Sequence, residues 1–320
     1  MPENKKYIFP DLEGKEYETL YIIGNGFDLY HGLKSRYSDF RKWLSKKKEL
    51  KYTEFIKRME KLFPLYTSQD MLWSNFENAL GKYKEWLIYN EYEAENPTLD
   101  TYRREQKMLQ DVRETCEAIR PFMTEWAKDI SLAKVQKKLY LSDESLYVNF
   151  NYTRILEEIY DIPQNHVCHF HGSVDENIPV ITGHNNLYDF NYTPYDDETD
   201  TTHTTMNSML EEFNTLAKNP KNQINRYNDF FRTISKANIK HVVFIGHSLD
   251  TVDYENLKEI YNYVGLNAVS HFNVYQPIDR FSIYNFLQDS QIDINRGSNF
   301  ILPQDKVSWK EKISRRIFKL

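Results

Sequence analysis

Short apolar runs separated by helix-like segments make up the pattern of hydrophobic and polar positions along the chain. Six of these runs have the length and apolar content of buried β-strands. They are Thr19–Ile23, Leu146–Phe150, His166–Phe170, Val180–Thr182, His241–Ile245 and Ala268–Val274. Because the runs alternate with helical segments, the pattern predicts an α/β fold with a mostly parallel sheet.

The long interval between the first two predicted strands has a helical pattern. Apolar residues at helical spacing mark three helices there: Phe40, Trp43 and Leu44 in the first, Trp73, Phe76 and Leu80 in the second, and Trp126, Ile130 and Ala133 in the third. We therefore predict a large helical insertion or subdomain at residues 46–140. Residues 1–45 and 141–320 are then expected to form the domain that carries the sheet.

Two further stretches differ in composition from their surroundings. Residues 186–205 are acidic, rich in tyrosine and rich in turn-forming residues, which predicts a disordered loop or a lid beside a site. Residues 306–320 are basic, and their apolar positions recur at roughly helical spacing, which predicts a C-terminal docking helix.

Composition and charge narrow the class of protein. No stretch approaches the roughly 20 apolar residues of a membrane-spanning helix, and the first residues lack the apolar core of a signal peptide. The only cysteines, Cys116 and Cys168, are too few for a disulfide framework, which fits a reducing cytoplasm. The net charge of −6 argues against a protein whose main task is non-specific nucleic-acid binding. We expect a cytoplasmic protein without a membrane partner.

The first candidate for chemistry is a glycine turn at the end of the first predicted strand. Gly24-Asn25-Gly26 joins this strand to a predicted helix, a junction at which backbone N–H groups can hold a phosphate. The dinucleotide fingerprint of dehydrogenases requires a third glycine, where this chain has Leu29, so hydride transfer is disfavoured. Asp28 either belongs to this site or caps the helix.

A second glycine turn follows the predicted strand His241–Ile245. The sequence Gly-His-Ser-Leu-Asp nearly matches the nucleophile elbow of serine hydrolases, but an aspartate occupies the last glycine position. A serine hydrolase is therefore disfavoured, and the turn is predicted to contact a ribose or a phosphate at the carboxyl edge of the sheet. Its candidate binding residues are Gly246, His247, Ser248 and Asp250. Capping of the next helix is the alternative role of Asp250 and of Asp253.

Polar residues also follow the second and third predicted strands. Asn151 lies where its strand turns toward a helix that begins near Arg154, so it either bonds a ligand or caps the turn. His171, followed by a glycine, is a candidate acid–base histidine, and a structural role is the alternative. A metal site built on His169, His171 and His184 is a further alternative, although the carboxylate-rich motifs of two-metal sites are not apparent.

Several motifs in order along the chain carry a resemblance to a known family. They are IIGNGFDL with the following SRYSDFRKWL, then LWSNFENAL, FNYTRILEEIY, HFHGS and FIGHSLDTVD. Together they resemble the bacterial AbiH family, named for abortive infection of phage, over nearly the whole chain. The order of the motifs is in turn similar to that of sirtuin-like (DHS-like) NAD-binding domains. This resemblance implies a Rossmann-like fold, so that residues 1–45 and 141–320 become a nucleotide-binding domain.

The resemblance to sirtuin-like domains also implies residue roles. It places the pyrophosphate at Gly24, Asn25, Gly26, Phe27 and Asp28, the ribose at Gly246 and Ser248, and catalysis at Asn151 and His171. Thr153 stands where sirtuins have an aspartate that helps hold nicotinamide, which leaves the base of the substrate open. The four-cysteine zinc module of sirtuins is absent, so protein deacetylation is unsupported.

The implied activity is hydrolysis of the N-glycosidic bond of NAD or a related nucleotide during phage defence, with no metal and no further cofactor required. Asn151 would orient the ribose and a water molecule, and His171 would accept the proton of that water. A phage-derived trigger, a partner defence protein and a homo-oligomer fit the implied role. A metal-dependent nuclease or phosphoesterase, and a nucleotide-binding sensor or interaction module without turnover, are the alternatives.

Overall fold

The computed structural model describes residues 18–64, 66, 68–82, 90, 92–95, 98–174, 180–184 and 201–303. The core of the protein is one six-stranded sheet, and every pair of neighbouring strands is parallel. The strands in chain order are β1 (Thr19–Ile23), β2 (Leu146–Asn149), β3 (Val167–His169), β4 (His241–Ile245), β5 (Val269–Asn273) and β6 (Gly297–Phe300). The prediction of an α/β fold is confirmed.

The strands are arranged in the order β3-β2-β1-β4-β5-β6. The chain therefore builds the sheet outward from β1 in one direction and then returns to β4 on the other side of β1. Ile23 is in register with Asn149 of β2 and with Ile245 of β4, so the carboxyl ends of the central strands meet at one edge. A crevice at the carboxyl edge, next to the point where the order reverses, is where open α/β sheets bind ligands.

Helices make up most of the remaining described residues. They are α1 (Asn25–Tyr30), α2 (Tyr37–Lys46), α3 (Leu50–Leu62), α4 (Gln69–Ser74), α5 (Phe76–Leu80), α6 (Thr101–Lys128), α7 (Ile155–Glu158), α8 (Thr201–Asn214), α9 (Pro220–Arg226), α10 (Asn228–Lys236), α11 (Tyr254–Val264) and α12 (Asp279–Asp289). None of the helices described is both long enough and apolar enough to cross a bilayer.

Apolar side chains cover both faces of the sheet, as expected for parallel strands. Leu20 and Ile22 of β1 pack in a cluster with α9 to α12, whereas Tyr21 and Ile23 of the same strand pack in a second cluster with α7. The alternation follows from the two-residue period of a strand. Because both faces are buried, the ligand-accessible part of the sheet is its edge.

A third apolar cluster lies among the helices between β1 and β2. Phe55, Trp73 and Ile119 from α3, α4 and α6 belong to it, and so do Phe40 of α2 and Phe213 of α8. Aromatic rings meet edge-on in its centre, where the ring centroids of Phe40 and Trp73 are 5.9 Å apart. This third cluster, the helical core, thus contains residues that precede and residues that follow the predicted insertion at 46–140.

Several element predictions need correction. Val180–Thr182 has no regular secondary structure, and Thr182 bonds a glutamate side chain instead of a neighbouring strand. The helix predicted from Trp126, Ile130 and Ala133 ends at Lys128. Strand β6 was not predicted. Residues 186–200 of the predicted loop and the whole predicted C-terminal helix lie outside the described residues, whereas positions 201–205 begin α8.

Candidate functional site

A cleft of about 830 Å³ lies along the carboxyl edge of the sheet. Residues that end or follow all six strands line it. Residues 35–37 and 74–78, from the helical part of the chain between β1 and β2, also line it. Its volume is within the range of small-molecule and cofactor sites. The topology of the sheet and the position of the cleft together make this the candidate site of the protein.

The two predicted glycine turns contact each other at the floor of the cleft. A Cβ atom on Gly24 would lie 2.5 Å from His247 Cα, and one on Gly26 would lie 2.7 Å from Gly246 Cα. Gly246 has a φ of +66°, and a Cβ there would lie 2.2 Å from Phe27 N. Three glycines are required because two backbones approach more closely than any side chain allows.

Backbone N–H groups of the first glycine turn, which the sequence predicts to hold a phosphate, are hydrogen-bonded to backbone carbonyl groups instead. Gly24 N–H donates to Ile245 O at 3.0 Å, Gly26 N–H to Gly246 O at 2.7 Å, and Phe27 N–H to Gly24 O at 2.9 Å. These donors are satisfied by backbone carbonyls. The first turn therefore serves to dock the second one, and other polar groups of the cleft are left to recognise a phosphate.

Asp28 joins the first turn to the polar residues that follow β2. Its Oδ1 accepts a hydrogen bond from Asn151 Nδ2 at 2.9 Å, and its Oδ2 accepts one from Thr153 Oγ1 at 2.8 Å. Asn151 Nδ2 also donates to Gly24 O at 3.1 Å. Both hydrogens of the Asn151 amide are thereby used, which leaves its carbonyl oxygen as the polar group available to a ligand.

The carboxyl group of Asp28 is buried, and its side chain does not cap α1. Burial raises the pKa of Asp28 from 3.8 to about 7, against the opposing effect of the hydrogen bonds from Thr153 and Asn151. A carboxyl group with this pKa gains and loses a proton near neutral pH. Such behaviour is common at functional sites.

His171 follows β3, which lies beside β2 on the side away from β1, and its ring is buried. His171 Nε2 is 3.4 Å from Asp253 Oδ1 and makes no hydrogen bond with the described residues. Burial and the ammonium group of Lys218 lower the pKa of His171 from 6.5 to about 3, although Asp253 acts in the opposite direction. The imidazole is therefore neutral at physiological pH.

Asp253 also faces His247, the second residue of the later glycine turn. His247 Nε2 is 3.8 Å from Asp253 Oδ2, and His247 Nδ1 accepts a hydrogen bond from Leu249 N–H at 3.1 Å. The ring of Phe150 meets both histidine rings edge-on, with centroid distances of 4.9 Å to His171 and 4.8 Å to His247. One carboxylate and one aromatic ring thus hold two histidines at the cleft.

A buried lysine completes this charged group. Lys218 Nζ is 3.2 Å from Asp253 Oδ1 and 3.0 Å from Glu77 Oε1. Burial disfavours the ammonium form, but Asp253 and Glu77 outweigh burial and raise the pKa of Lys218 above its usual range. Burial alone would raise the pKa of Asp253, yet Lys218 and the two histidines together hold it well below its usual range. The pKa of Glu77 shifts in the opposite direction to that of Asp253, because burial raises it more than Lys218 lowers it.

The other predicted site residues differ in their placement. Asn25 and Ser248 are exposed at the cleft, and Asn25 Oδ1 accepts a hydrogen bond from Ser35 Oγ at 2.5 Å. Asp250 lines the cleft but also caps the following 3-10 helix and accepts a hydrogen bond from Asn78 Nδ2 at 2.9 Å. Phe27 lies in the core, where its ring packs against His31 at a centroid distance of 4.5 Å.

The histidines of the metal alternative do not converge. His169 Nε2 lies 2.6 Å from Glu157 Oε1, and His184 Nε2 lies 3.0 Å from Phe213 O. Within the described ranges, no group of three His, Cys, Asp or Glu side chains has the arrangement of a metal site. His171 shares the cleft with Asn151 instead of with these histidines.

Sequence reasoning missed the charged group of Glu77, Lys218 and Asp253. Glu77 lies in LWSNFENAL, which carries only the family resemblance, and the position of Asp253 before a helix indicates only a helix cap. The structure gives Asp253 no capping bond to α11. Lys218 stands in a polar stretch where a lysine usually faces solvent, so nothing local distinguishes it.

A family of known proteins matches most of the chain. A family model described as "Bacteriophage abortive infection AbiH" matches residues 20–275, which run from the second residue of β1 to just past β5 and include both glycine turns. No curated protein and no solved structure matches the chain.

Proposed function

The chain belongs to the AbiH family of bacteriophage abortive infection proteins, which implies a role in phage defence, and from this premise we propose that its cleft hydrolyses the N-glycosidic bond of NAD or a related nucleotide. The nucleotide is the substrate in this proposal, and no metal ion takes part in the reaction. The proposal combines the position of the cleft, the groups that line it and the chemistry that those groups can perform.

The topology supports a nucleotide as the ligand. The strand order β3-β2-β1-β4-β5-β6 is that of Rossmann-type dinucleotide-binding sheets, which bind their ligand at the carboxyl edge where the order reverses. The cleft lies at this edge and spans the ends of both halves of the sheet. Exposed Tyr275 and Ile301 line it beyond β5 and β6, which suits the flat ring of a base.

The polar groups suit cleavage of a ribosyl bond. In such a reaction a water molecule attacks C1′ of the ribose, and the bond to the nicotinamide nitrogen breaks with its electron pair going to the ring. Positive charge develops on the ribose in the transition state, as in glycoside hydrolysis. The Asp253 carboxylate, which lines the cleft in its ionised form, would stabilise that charge.

Two residues have defined tasks in this proposal. The carbonyl oxygen of Asn151, fixed by the bonds of its amide hydrogens to Asp28 and Gly24, would orient the ribose hydroxyls or the attacking water. Neutral His171 would accept the proton of the water. The observation that carries the proposal is that Asn151 and His171, from separate segments, line one cleft with both glycine turns.

The test is release of nicotinamide from NAD by the purified protein, measured beside Asn151→Ala and His171→Ala. We expect both variants to lose at least ~100-fold in rate. His166→Ala is the matched control, because His166 precedes β3 and bonds Asp143 O outside the cleft. Release that survives both substitutions would contradict the site, and loss in the control would point to a general folding defect.

A binding module without turnover is the second candidate, and the low pKa of His171 favours it. General bases act best when their pKa lies near the working pH, and a pKa of about 3 is far below it. Calorimetric binding of NAD together with an unchanged NAD concentration after long incubation would support this candidate. Nicotinamide release in the presence of wild-type protein alone would exclude it.

A further inference from the structure

Lys218 occupies an unusual position behind the candidate site. Its side chain is 2% exposed, and it is not among the residues that line the cleft, whereas both of its carboxylate partners are. The three residues come from separate parts of the chain: Glu77 from α5, Lys218 from the segment after α8, and Asp253 from the 3-10 helix before α11. The ammonium group therefore connects α5 to the 3-10 helix that follows the later glycine turn.

Stability alone does not account for this arrangement. Removing an ammonium group from water costs several kcal/mol, and buried ion pairs are frequently no more stabilising than apolar side chains of the same volume. With both carboxyl groups ionised, the cluster of Glu77, Lys218 and Asp253 also carries one more negative than positive charge. A buried cluster with these properties calls for a role in the site that it faces.

Asp253 is the link between the lysine and the histidines. Its Oδ1 receives Lys218 Nζ at 3.2 Å and Asn256 Nδ2 at 3.1 Å, and the same oxygen lies 3.4 Å from His171 Nε2. Its Oδ2 faces His247 Nε2 at 3.8 Å. Two donors on Oδ1 fix the direction of the carboxylate, so its position relative to both imidazoles is set by Lys218 and Asn256.

We propose that Lys218 is a positioning residue of the cleft, which holds ionised Asp253 against His171 and so keeps the proton of this neutral imidazole on Nε2 and its lone pair on Nδ1. A carboxylate beside one ring nitrogen favours the tautomer that carries the proton there, as in hydrolase triads. His247 supports this assignment, because its Nδ1 accepts from Leu249 N–H and its proton must then lie on Nε2, toward Asp253.

Lys218 also controls the charge of His171. The groups that surround the pair of His171 and Asp253 are Lys218 and Glu77 on one side, His247 and Asp250 on the later turn, and the hydroxyl groups of Tyr37 and Tyr152 near Glu77. Lys218 is the only cation in this list. Removing its charge leaves His171 beside uncompensated carboxylates, which favours the imidazolium form over the neutral base.

The inference rests on the proposed function for its consequence in catalysis, but its main readout is independent of activity. Nitrogen-15 NMR of labelled protein reports the tautomer and the titration of His171 in the wild type, in Lys218→Met and in Lys218→Arg. We expect a neutral Nε2–H imidazole in the wild type, and an upward shift of the His171 pKa by at least about one unit in Lys218→Met. Lys218→Arg should retain the wild-type spectrum.

Two further variants separate positioning from folding. Glu77→Gln combined with Lys218→Met keeps the net charge of the cluster, so it should fold where Lys218→Met alone does not, and it still leaves Asp253 without its lysine. Lys240→Met is the control, because Lys240 forms an exposed ion pair with Glu18 at the other end of the sheet. The double variant should show the shifted His171 titration, and the control should not.

The NMR titrations and the activity assay together support or overturn the positioning role of Lys218. An unchanged His171 tautomer and titration in folded Lys218→Met, or in the double variant, would overturn it. A shifted titration with nicotinamide release that now requires a higher pH would support both this inference and the proposed function. A shifted titration in a protein whose wild type cleaves no nucleotide would retain the positioning role and reject the proposed function.

Discussion

The amide of Asn151 donates a hydrogen bond of 2.9 Å to the carboxyl group of Asp28, a residue 123 positions earlier in the chain. The bond joins α1, which follows β1, to the turn after β2, and these are neighbouring strands of the sheet. It also makes the orientation of the Asn151 carbonyl oxygen depend on a carboxyl group whose pKa is about 7. The geometry of the candidate site is thereby linked to pH.

Asp28 should make the stability of the protein depend on pH with a definite sign. Its pKa is about 7 in the folded protein, against 3.8 for a free carboxyl group, so between these values the folded state holds a proton that the unfolded state has lost. Its stabilising contribution is complete below about pH 4 and is lost as the pH rises through about 7. We expect Asp28→Asn to gain on the order of a few kcal/mol relative to wild type between about pH 4 and 8. Urea denaturation at several pH values measures this difference, and parallel stability curves for the two proteins would contradict it.

The contact between the glycine turns should dominate the effect of glycine substitutions. Gly265→Ala introduces only an unfavourable conformation, because Gly265 has a φ of +85° and open space around it, and should cost about 1–3 kcal/mol. Gly24→Ala introduces only a close contact with the later turn, at His247 and the Gly246 carbonyl oxygen, since its φ is −111°. Gly246→Ala introduces both, and we expect its loss of unfolding free energy to exceed that of Gly265→Ala by about 1–3 kcal/mol. Equal losses in all three would mean that the turns separate at little cost.

Tyr275 should contribute to nucleotide affinity through its exposed ring at the mouth of the cleft. The side chain is 62% exposed and lines the cleft, whereas Tyr284, 51% exposed on α12, does not line it. Because stacking of a base on an aromatic ring contributes about 1–3 kcal/mol, Tyr275→Ala should weaken NAD binding about tenfold. Tyr284→Ala should leave the Kd unchanged. Equal affinities for NAD in wild type and Tyr275→Ala, measured by calorimetry, would place the base elsewhere.

Chelation should leave nucleotide cleavage unaffected. His169 and His184, which the metal alternative requires beside His171, are bonded to Glu157 and to the carbonyl of Phe213. We therefore expect the same rate of nicotinamide release before and after dialysis against EDTA. Activity that is lost on dialysis and restored by a divalent cation would revive the metal-dependent alternative.

The pattern of apolar residues predicted the centre of the sheet better than its periphery. Thr19–Ile23 and His241–Ile245 have the predicted bounds, because these central strands are buried on both faces and therefore continuously apolar. Gly297–Phe300 lies at the edge of the sheet and contains glycine, serine and asparagine, so its sequence lacks a strand pattern. Val180 belongs to the helical core, so its apolar run reflects burial without strand pairing.

The candidate site was predictable where its residues follow strands. Asn151, His171 and Gly246 were found because polar residues or glycines at strand ends meet at one edge of a parallel sheet. Lys218 was not found, because its burial results from carboxylates in two distant segments and leaves no trace in its own neighbourhood. The Gly26–Gly246 contact was likewise invisible, since each turn alone looks like a ligand-binding loop.

The contact between Gly26 and Gly246 has a consequence for protein synthesis. The two glycines are some 220 residues apart, so the floor of the cleft cannot assemble until the ribosome has released β4 and the turn that follows it. A prematurely terminated chain can hold Asn151 and His171 but has no second wall to the cleft. Under the proposed function, a chain that ends before Gly246 is therefore expected to cleave no nucleotide.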